Sequence, residues 1–248
     1  MVHAAFAGGR EVRAYGTFAN RESAGLDLAK EVAAKSLSDP VVLALPRGGV
    51  PVAAEIAKEL KAPLDLVMVR KIGVPWQPEL AAAAVIDGKD PQIVVNEEVC
   101  GLANVSRTYI EEAAKREFEE IARRRKLYLK DHPHCEIQGH SVIVVDDGIA
   151  TGTTVRAVLK ALRRKKPKSI LLAVPVAPIE AVEALRGEVD DIVCLSTPAP
   201  FYGIGLHYAD FHQVPDEEVI KTLEQAREVM EAEKPEKPED VEQLDKPK

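Results

Sequence analysis

Five short apolar runs, at positions 41–46, 64–69, 142–145, 170–176 and 192–195, interrupted only by Asp65, constrain the fold of this chain more than any other feature. They are rich in Val, Ile and Leu and do not alternate with polar residues, the pattern of strands covered on both faces. Helical periodicity fills the intervals at 21–35, 50–60, 153–165 and 179–185. Strand, helix and strand in succession pair in parallel through right-handed crossovers, which puts helices on both sides of the sheet. The expected fold class is α/β, doubly wound, with a mainly parallel sheet. With 248 residues, of which 46% are hydrophobic and 29% charged, the chain has enough apolar side chain for one full-sized core.

Two stretches break this rhythm. At 81–95 the runs AAAAVI and IVV flank the turn-forming Asp87, Gly88, Lys89, Asp90 and Pro91, predicting a two-stranded ribbon that leaves the main sheet. At 106–130 a long charged helix is predicted, because Glu111 and Lys115, Glu112 and Arg116, Glu119 and Arg123, and Glu120 and Arg124 each place an acid four residues before a base. One domain is thus expected over 1–230, with the ribbon and helix inserted at about 81–130 and a hood at about 196–212. Residues 231–248 repeat Lys-Pro and acids almost without large apolar side chains and are expected to be disordered.

Charge and cysteine content narrow the function classes. A formal net charge of −7 and a pI near 5.5 give no general attraction to nucleic acid or to an anionic membrane, so anionic ligands must be held locally. The N-terminal residues form no apolar signal-like region, and no run approaches the ~18 to 20 apolar residues of a membrane span. A cytoplasmic protein is expected. Cys100, Cys135 and Cys194 are odd in number and irregularly spaced, which argues against a disulfide framework. His132, His134, Cys135 and His140 match no zinc spacing, and the basic run Arg123, Arg124, Arg125 and Lys126 is explained by acid pairing along the helix.

The third apolar run ends in Asp146 and Asp147, followed by Gly148, Ile149, Ala150, Thr151, Gly152, Thr153 and Thr154 and then a helical pattern. A strand, a small-residue loop and a helix N-terminus surround an anion with backbone N–H groups, and the three threonine hydroxyls add donors. Acids aimed at a bound phosphate would repel it. Asp146 and Asp147 are therefore expected to accept hydrogen bonds from neutral hydroxyls, and a vicinal diol such as that of ribose suits them. The segment is neither a Walker loop nor a dinucleotide fingerprint. The first run leads into Pro46, Arg47, Gly48 and Gly49, where two glycines allow close backbone approach at the start of a helix.

Residues 142–154, VIVVDDGIATGTT, resemble the 5-phosphoribosyl-1-pyrophosphate signature of type I phosphoribosyltransferases: four apolar residues, two acids, a short spacer and Thr-Gly-x-Thr. From residue 18 to about 230 the arrangement is similar to a bacterial branch of predicted phosphoribosyltransferases. The resemblance implies displacement of pyrophosphate from C1 of the ribose by a nitrogen nucleophile, with Mg2+ bound mainly through the substrate pyrophosphate. It makes the turn at Arg47, Gly48 and Gly49 the pyrophosphate loop and the Pro46–Arg47 peptide a candidate cis bond. Arg70 and Lys71 resemble the Arg-Lys segment of adenine-type members, where such bases meet pyrophosphate oxygens, and the Gly- and Pro-containing stretch after them is expected to be a loop that closes over the site. Neighbours on a strand face opposite ways, so one of the pair reaches the ligand, and Lys71 is favoured. Arg47, Arg70 and Lys71 are the expected catalytic bases.

Residues 196–212 gather much of the aromatic content into one Gly- and Pro-rich stretch, the kind of loop that forms a specificity pocket. The resemblance implies acceptor recognition there, with Phe201, Tyr202 and Tyr208 stacking on a planar base and Asp210 reading a polar edge. The hood and long helix match neither a purine nor a pyrimidine salvage type, so no acceptor is assigned. The leading expectation is a transferase. The alternatives are a regulator that senses the donor without turnover, and a nucleotide-binding interaction protein whose long helix serves as a dimer arm; a homodimer fits apolar edges around the ribbon.

Overall fold

The computed structural model describes residues 17–232. Helix α1 (Arg21–Ala33) leads into strand β1 (Pro40–Ala44), helix α2 (Gly49–Leu60) and strand β2 (Leu64–Leu66). An insertion follows, made of strands β3 (Val69–Val74), β4 (Gln77–Ile86) and β5 (Gln92–Val95) and helices α3 (Glu97–Leu102) and α4 (Arg107–Leu129). The first pattern then resumes with β6 (Ser141–Val145), α5 (Thr153–Arg164), β7 (Ser169–Val176), α6 (Ile179–Leu185) and β8 (Asp191–Ser196). A 3-10 turn at Ile204–His207 and helix α7 (Asp216–Ala232) complete the described chain.

The central sheet runs β2-β1-β6-β7-β8, and every adjacent pair is parallel. Strand β6 explains why such strands read as unbroken apolar runs. Its Ile143 and Val145 enter the core shared with α1 and α2, while Val142 and Val144 enter the core beneath α5. Helix α5 meets that second core with Val155, Val158, Leu159 and Leu162, an i, i+3, i+4, i+7 stripe. Because β1 pairs with β2 on one side and β6 on the other, strand order reverses between β1 and β6. Ligands of open parallel sheets bind outside the carboxyl ends of the strands at such a reversal. Ala44 and Val145 are register partners, and Leu45 donates its N–H to Val145 at 2.9 Å, so the turns after β1 and β6 emerge side by side.

The insertion departs from expectation. Strand β2 stops at Leu66, and Val69 already pairs with Ile86 in a second, three-stranded antiparallel sheet, β3-β4-β5, in place of a two-stranded ribbon. The break in the apolar run 64–69 is set by Asp87: its carboxylate accepts from Met68 N–H at 2.7 Å and its own N–H donates to Met68 O at 3.0 Å, so Met68 turns away from the parallel ladder. The loop expected after Lys71 is a β-hairpin, with Val74 paired to Gln77. Arg125 of α4, itself half-buried, fastens the insertion by donating to the buried Asp65 at 3.0 Å and the buried Asp87 at 3.2 Å. Its neighbours Arg123 and Arg124 both pair with Glu120, which accounts for that part of the basic run.

Helix α4 begins at Ser106, whose hydroxyl accepts the Tyr109 N–H. It buries Ile110, Ala113, Ala114, Ile121, Tyr128 and Leu129 and contacts β3, β4 and α7, so it is a packed helix of the domain and not a free arm. Among the described residues no helix is long and apolar enough to cross a membrane. The three cysteines are free thiols, and burial pushes Cys135 and Cys194 up to about 11. Of the segment expected to be disordered, residues 233–248 lie outside the described residues.

Candidate donor site at the β1–β6 reversal

The acid pair follows directly from β6. Asp147 is buried, and its Oδ2 accepts from Nε of Arg21 at 2.8 Å. Asp146, half-buried, turns Oδ1 back onto the Asp147 N–H at 2.9 Å. Burial raises both carboxyls above their ordinary range; the neighbouring Asp147 charge raises Asp146 further, while Arg21 restrains the rise at Asp147. One guanidinium thus faces two adjacent carboxyls, an arrangement that favours hydroxyl donors or additional positive charge.

The turn after β1 packs onto this pair. The Pro46–Arg47 peptide is cis. A Cβ on Gly48 would stand 2.1 Å from Asp147 Oδ2, and one on Gly49 would stand 2.7 Å from Val145 O. The glycines therefore admit the acid pair itself. Arg47 extends to Asp216 of α7 at 3.5 Å, and the same carboxylate oxygen accepts from Tyr128 Oη at 2.6 Å.

Beyond the acids the loop divides its work. Ile149 is buried and donates its N–H to Val176 O at 2.9 Å, so neither its side chain nor its amide is available to an anion. This corrects its place among the ligand-binding residues: it anchors the loop. Gly148 lies against Ile204, where a Cβ would come within 2.6 Å of a methyl group. Gly152 caps α5 with φ +73°, a left-handed conformation that favours glycine. Ala150, Thr151 and Thr153 are exposed and Thr154 is half-buried, with the hydroxyls of Thr151 and Thr153 3.3 Å apart.

Strand β3 separates the two bases expected to serve this site. Arg70 donates to Glu117 of α4 at 2.6 Å. Lys71, on the opposite face, lines a cleft of about 500 Å³ together with Thr151, Thr153, Thr154, Arg156 and Lys160. Lys71 has no ion-pair partner among the described residues.

The hood is arranged differently from the expected stacking pocket. Tyr208 is buried against Phe18 and Phe211, at centroid distances of 5.4 and 5.1 Å, and its hydroxyl donates to Asp147 O at 2.6 Å. With the ring buried against both phenylalanines and its hydroxyl spent on Asp147 O, it is a support beneath the 146–154 loop and is not open to stack on a base. Asp210 is taken up by His212, which contacts it through Nδ1 at 3.1 Å and reaches Glu218 through Nε2 at 3.0 Å. This pairing lowers Asp210 and raises His212 from their ordinary values. Phe201 is half-buried and stacks on His207 at 5.6 Å, whereas Tyr202 is 80% exposed.

Arg21 escaped the sequence reading. Its signal was a cation in the first turn of α1, directly after the Asn20 cap, where the helix dipole disfavours positive charge. Such a misplaced charge implies a nearby anion, and Asp147 supplies it.

Comparison with known proteins places this architecture. Residues 18–209 match the phosphoribosyl transferase domain. Proteins from two strains of Mycobacterium tuberculosis, provisionally named phosphoribosyl transferases, are each 40% identical over 209 residues, which is 84% of this chain and 47% of theirs. The chain thus spans about half the length of these curated relatives. The crystal structure of TT1426 from Thermus thermophilus shares 39% identity and a TM-score of 0.74, covering 84% of this chain and 98% of that one. The chain belongs to the phosphoribosyl transferase domain family.

Proposed function

We propose that the protein transfers the 5-phosphoribosyl group of 5-phosphoribosyl-1-pyrophosphate to a nitrogen of a nucleobase-like acceptor, with Mg2+-assisted release of pyrophosphate. The observation that carries this reading is the convergence at the β1–β6 reversal of the acid pair, the threonine loop and the glycine turn, with Lys71 facing the same threonines. Each part has a role. The loop amides with Thr151, Thr153 and Thr154 hold the 5-phosphate, Asp146 and Asp147 accept from the ribose hydroxyls, and the turn at Gly48 and Gly49 with Lys71 meets the pyrophosphate.

In the reaction the acceptor nitrogen supplies the electron pair of the new bond to C1. The C1–O bond breaks, its electrons leave on pyrophosphate, and the acceptor's proton passes to solvent. The protein needs no covalent nucleophile, because holding both ends of the donor aligns C1 with the acceptor. Among the described residues no three His, Cys, Asp or Glu side chains gather into a metal cage. A hydrated Mg2+ carried mainly on the donor's diphosphate would offset charge on the leaving group. For the acceptor, Phe201 and Tyr202 remain as contacts.

A donor-sensing regulator is the second reading, favoured by one observation: Arg70 is spent on Glu117 and Arg47 lies against Asp216, leaving Lys71 unpaired among the three expected catalytic bases. Incubating the purified chain with donor, Mg2+ and a panel of bases while following pyrophosphate separates the two. Release with at least one base supports the transferase; tight donor binding without release for any base supports the sensor. Substituting Asp146→Asn together with Asp147→Asn is expected to abolish tight donor binding, and unchanged calorimetric affinity would rule out both readings.

A further inference from the structure

We infer that Arg21 is a positioning residue of the donor site, joining the donor loop and the 204–212 hood into one unit so that the acceptor side of the molecule helps set donor affinity. This rests on reading the loop from Asp146 to Thr154 as the donor loop. The geometry is a two-pronged tie. Arg21 donates through Nε to Asp147 Oδ2 and through Nη1 to His212 O, both at 2.8 Å, and its guanidinium lies over the Phe211 ring at 4.0 Å. Arg21 and Asp147 are 6% and 8% exposed, so water does not dissipate the interaction.

Independent contacts hold the same two parts together. Tyr208 reaches from the hood to Asp147 O, and Ile204 sits against Gly148. The chain just before α1 is laced to the hood by backbone bonds, from Phe18 N–H to His207 O at 2.8 Å, from Ala209 N–H to Phe18 O at 2.7 Å and from Asp210 N–H to Ala19 O at 2.9 Å. Arg21 therefore projects from a framework that includes the hood and terminates on the carboxylate assigned to ribose.

A guanidinium is suited to this role because its planar donors are held at fixed angles, so an acceptor on one prong cannot move without disturbing the other. A lysine ammonium in the same place supplies charge without the fork. Asp147 is faced by Asp146 on its own loop, Arg21 from α1 and the phenol of Tyr208 from the hood. Removing Arg21 would leave two adjacent, burial-disfavoured carboxyls without their cation and free Asp147 to turn from its present direction.

Donor binding with Mg2+ is measured by calorimetry on the full chain and on Arg21→Met, Arg21→Lys, Asp147→Asn, the Arg21→Met/Asp147→Asn double variant and Phe211→Leu. Arg21→Met should weaken donor binding on the order of tenfold or more, with Arg21→Lys recovering part of the loss. Because Arg21 acts through Asp147, the double variant should be no weaker than Asp147→Asn within about twofold. Phe211→Leu, which removes the ring beneath the guanidinium, should weaken donor binding several-fold. Leu28→Ala is the control for a merely structural role: it should lower the melting temperature and leave donor affinity unchanged. Additive losses in the double variant, or unchanged affinity in folded Arg21→Met, overturn the inference. Should Arg21→Met not fold, unchanged affinity in both Arg21→Lys and Phe211→Leu overturns it equally. Failure of the unsubstituted chain to bind donor would instead refute the donor-loop reading beneath it.

Discussion

Arg70 and Lys71 are adjacent in sequence and divided in space: Arg70 Nε is 2.6 Å from Glu117 Oε2 on α4, while Lys71 faces the cleft that contains Thr151 and Thr153. Strand alternation makes one residue a fastening and leaves the other open to ligand. Lys71→Ala is expected to lower kcat/KM on the order of tenfold to a hundredfold with an unchanged melting temperature. Arg70→Ala should cost about 0.5–1 kcal/mol of stability, since the pair is partly exposed, and affect turnover less. Steady-state kinetics and thermal melts on the two variants distinguish these roles; equal kinetic losses would contradict the division.

The contact between Gly48 and Asp147 predicts a sharp effect from one methyl group. Gly48→Ala places Cβ 2.1 Å from Asp147 Oδ2, which must swing away from Arg21. Donor affinity should fall on the order of tenfold. Gly187→Ala, where nothing lies within 4 Å of the added carbon, should bind donor as the parent does. Calorimetry on the pair checks the prediction, and normal affinity in Gly48→Ala would refute it.

Asp87 makes stability depend on pH in an unusual direction. Burial pushes its pKa up to about 6, against the pull of the Met68 N–H and Arg125. The folded chain thus holds this proton more tightly than the unfolded chain, so the group's contribution to stability is greatest below about pH 4, falls as pH rises toward about 6 and is level above. The span is up to about 3 kcal/mol. Asp87→Asn keeps an oxygen for the Met68 N–H and removes the titration, so the difference in urea midpoint between the variant and the parent should change across this window. Parallel curves would show that Asp87 does not titrate there.

Tyr208 and Tyr202 should respond oppositely to substitution. Tyr208→Phe keeps the buried ring and removes the donor to Asp147 O, which should cost about 1–3 kcal/mol for the carbonyl left behind. Tyr202→Ala, at an 80% exposed site, should change stability by less than about 0.5 kcal/mol. If Tyr202 contacts the acceptor, its loss will raise acceptor KM without altering donor affinity. Melts and acceptor-dependent kinetics test both statements.

What could be read in the sequence was what lies close together along the chain. The runs at 142–145, 170–176 and 192–195 announced β6, β7 and β8 because each strand is sandwiched between cores and carries apolar side chains on both sides. The run at 64–69 misled because apolar character does not specify direction: Val67 and Met68 are buried, yet the turn there is enforced by Asp87, 19 residues later. Strand β4 begins with the exposed Gln77, Pro78 and Glu79, whose polarity disguised the hairpin as a loop. The proposed donor loop could be picked out as a candidate because its acids and threonines are contiguous. Arg21 and Tyr208 could not, since they reach Asp147 across 126 and 61 residues through tertiary packing that no local pattern records.

The route of the chain around β1 has a consequence for how this molecule can be altered. The chain leaves the central sheet after Leu66 and re-enters at Ser141, and the strands on either side of that gap both pair with β1. Residues 67–140 therefore form one covalent excursion from the sheet, a cassette that shares a buried core with α1, α2 and α7 and can be exchanged only together with the side chains that fill that core. Exchanging that cassette would import a new cover and a new base in place of Lys71, while Arg21, the acid pair and the hood would travel together on the part left behind.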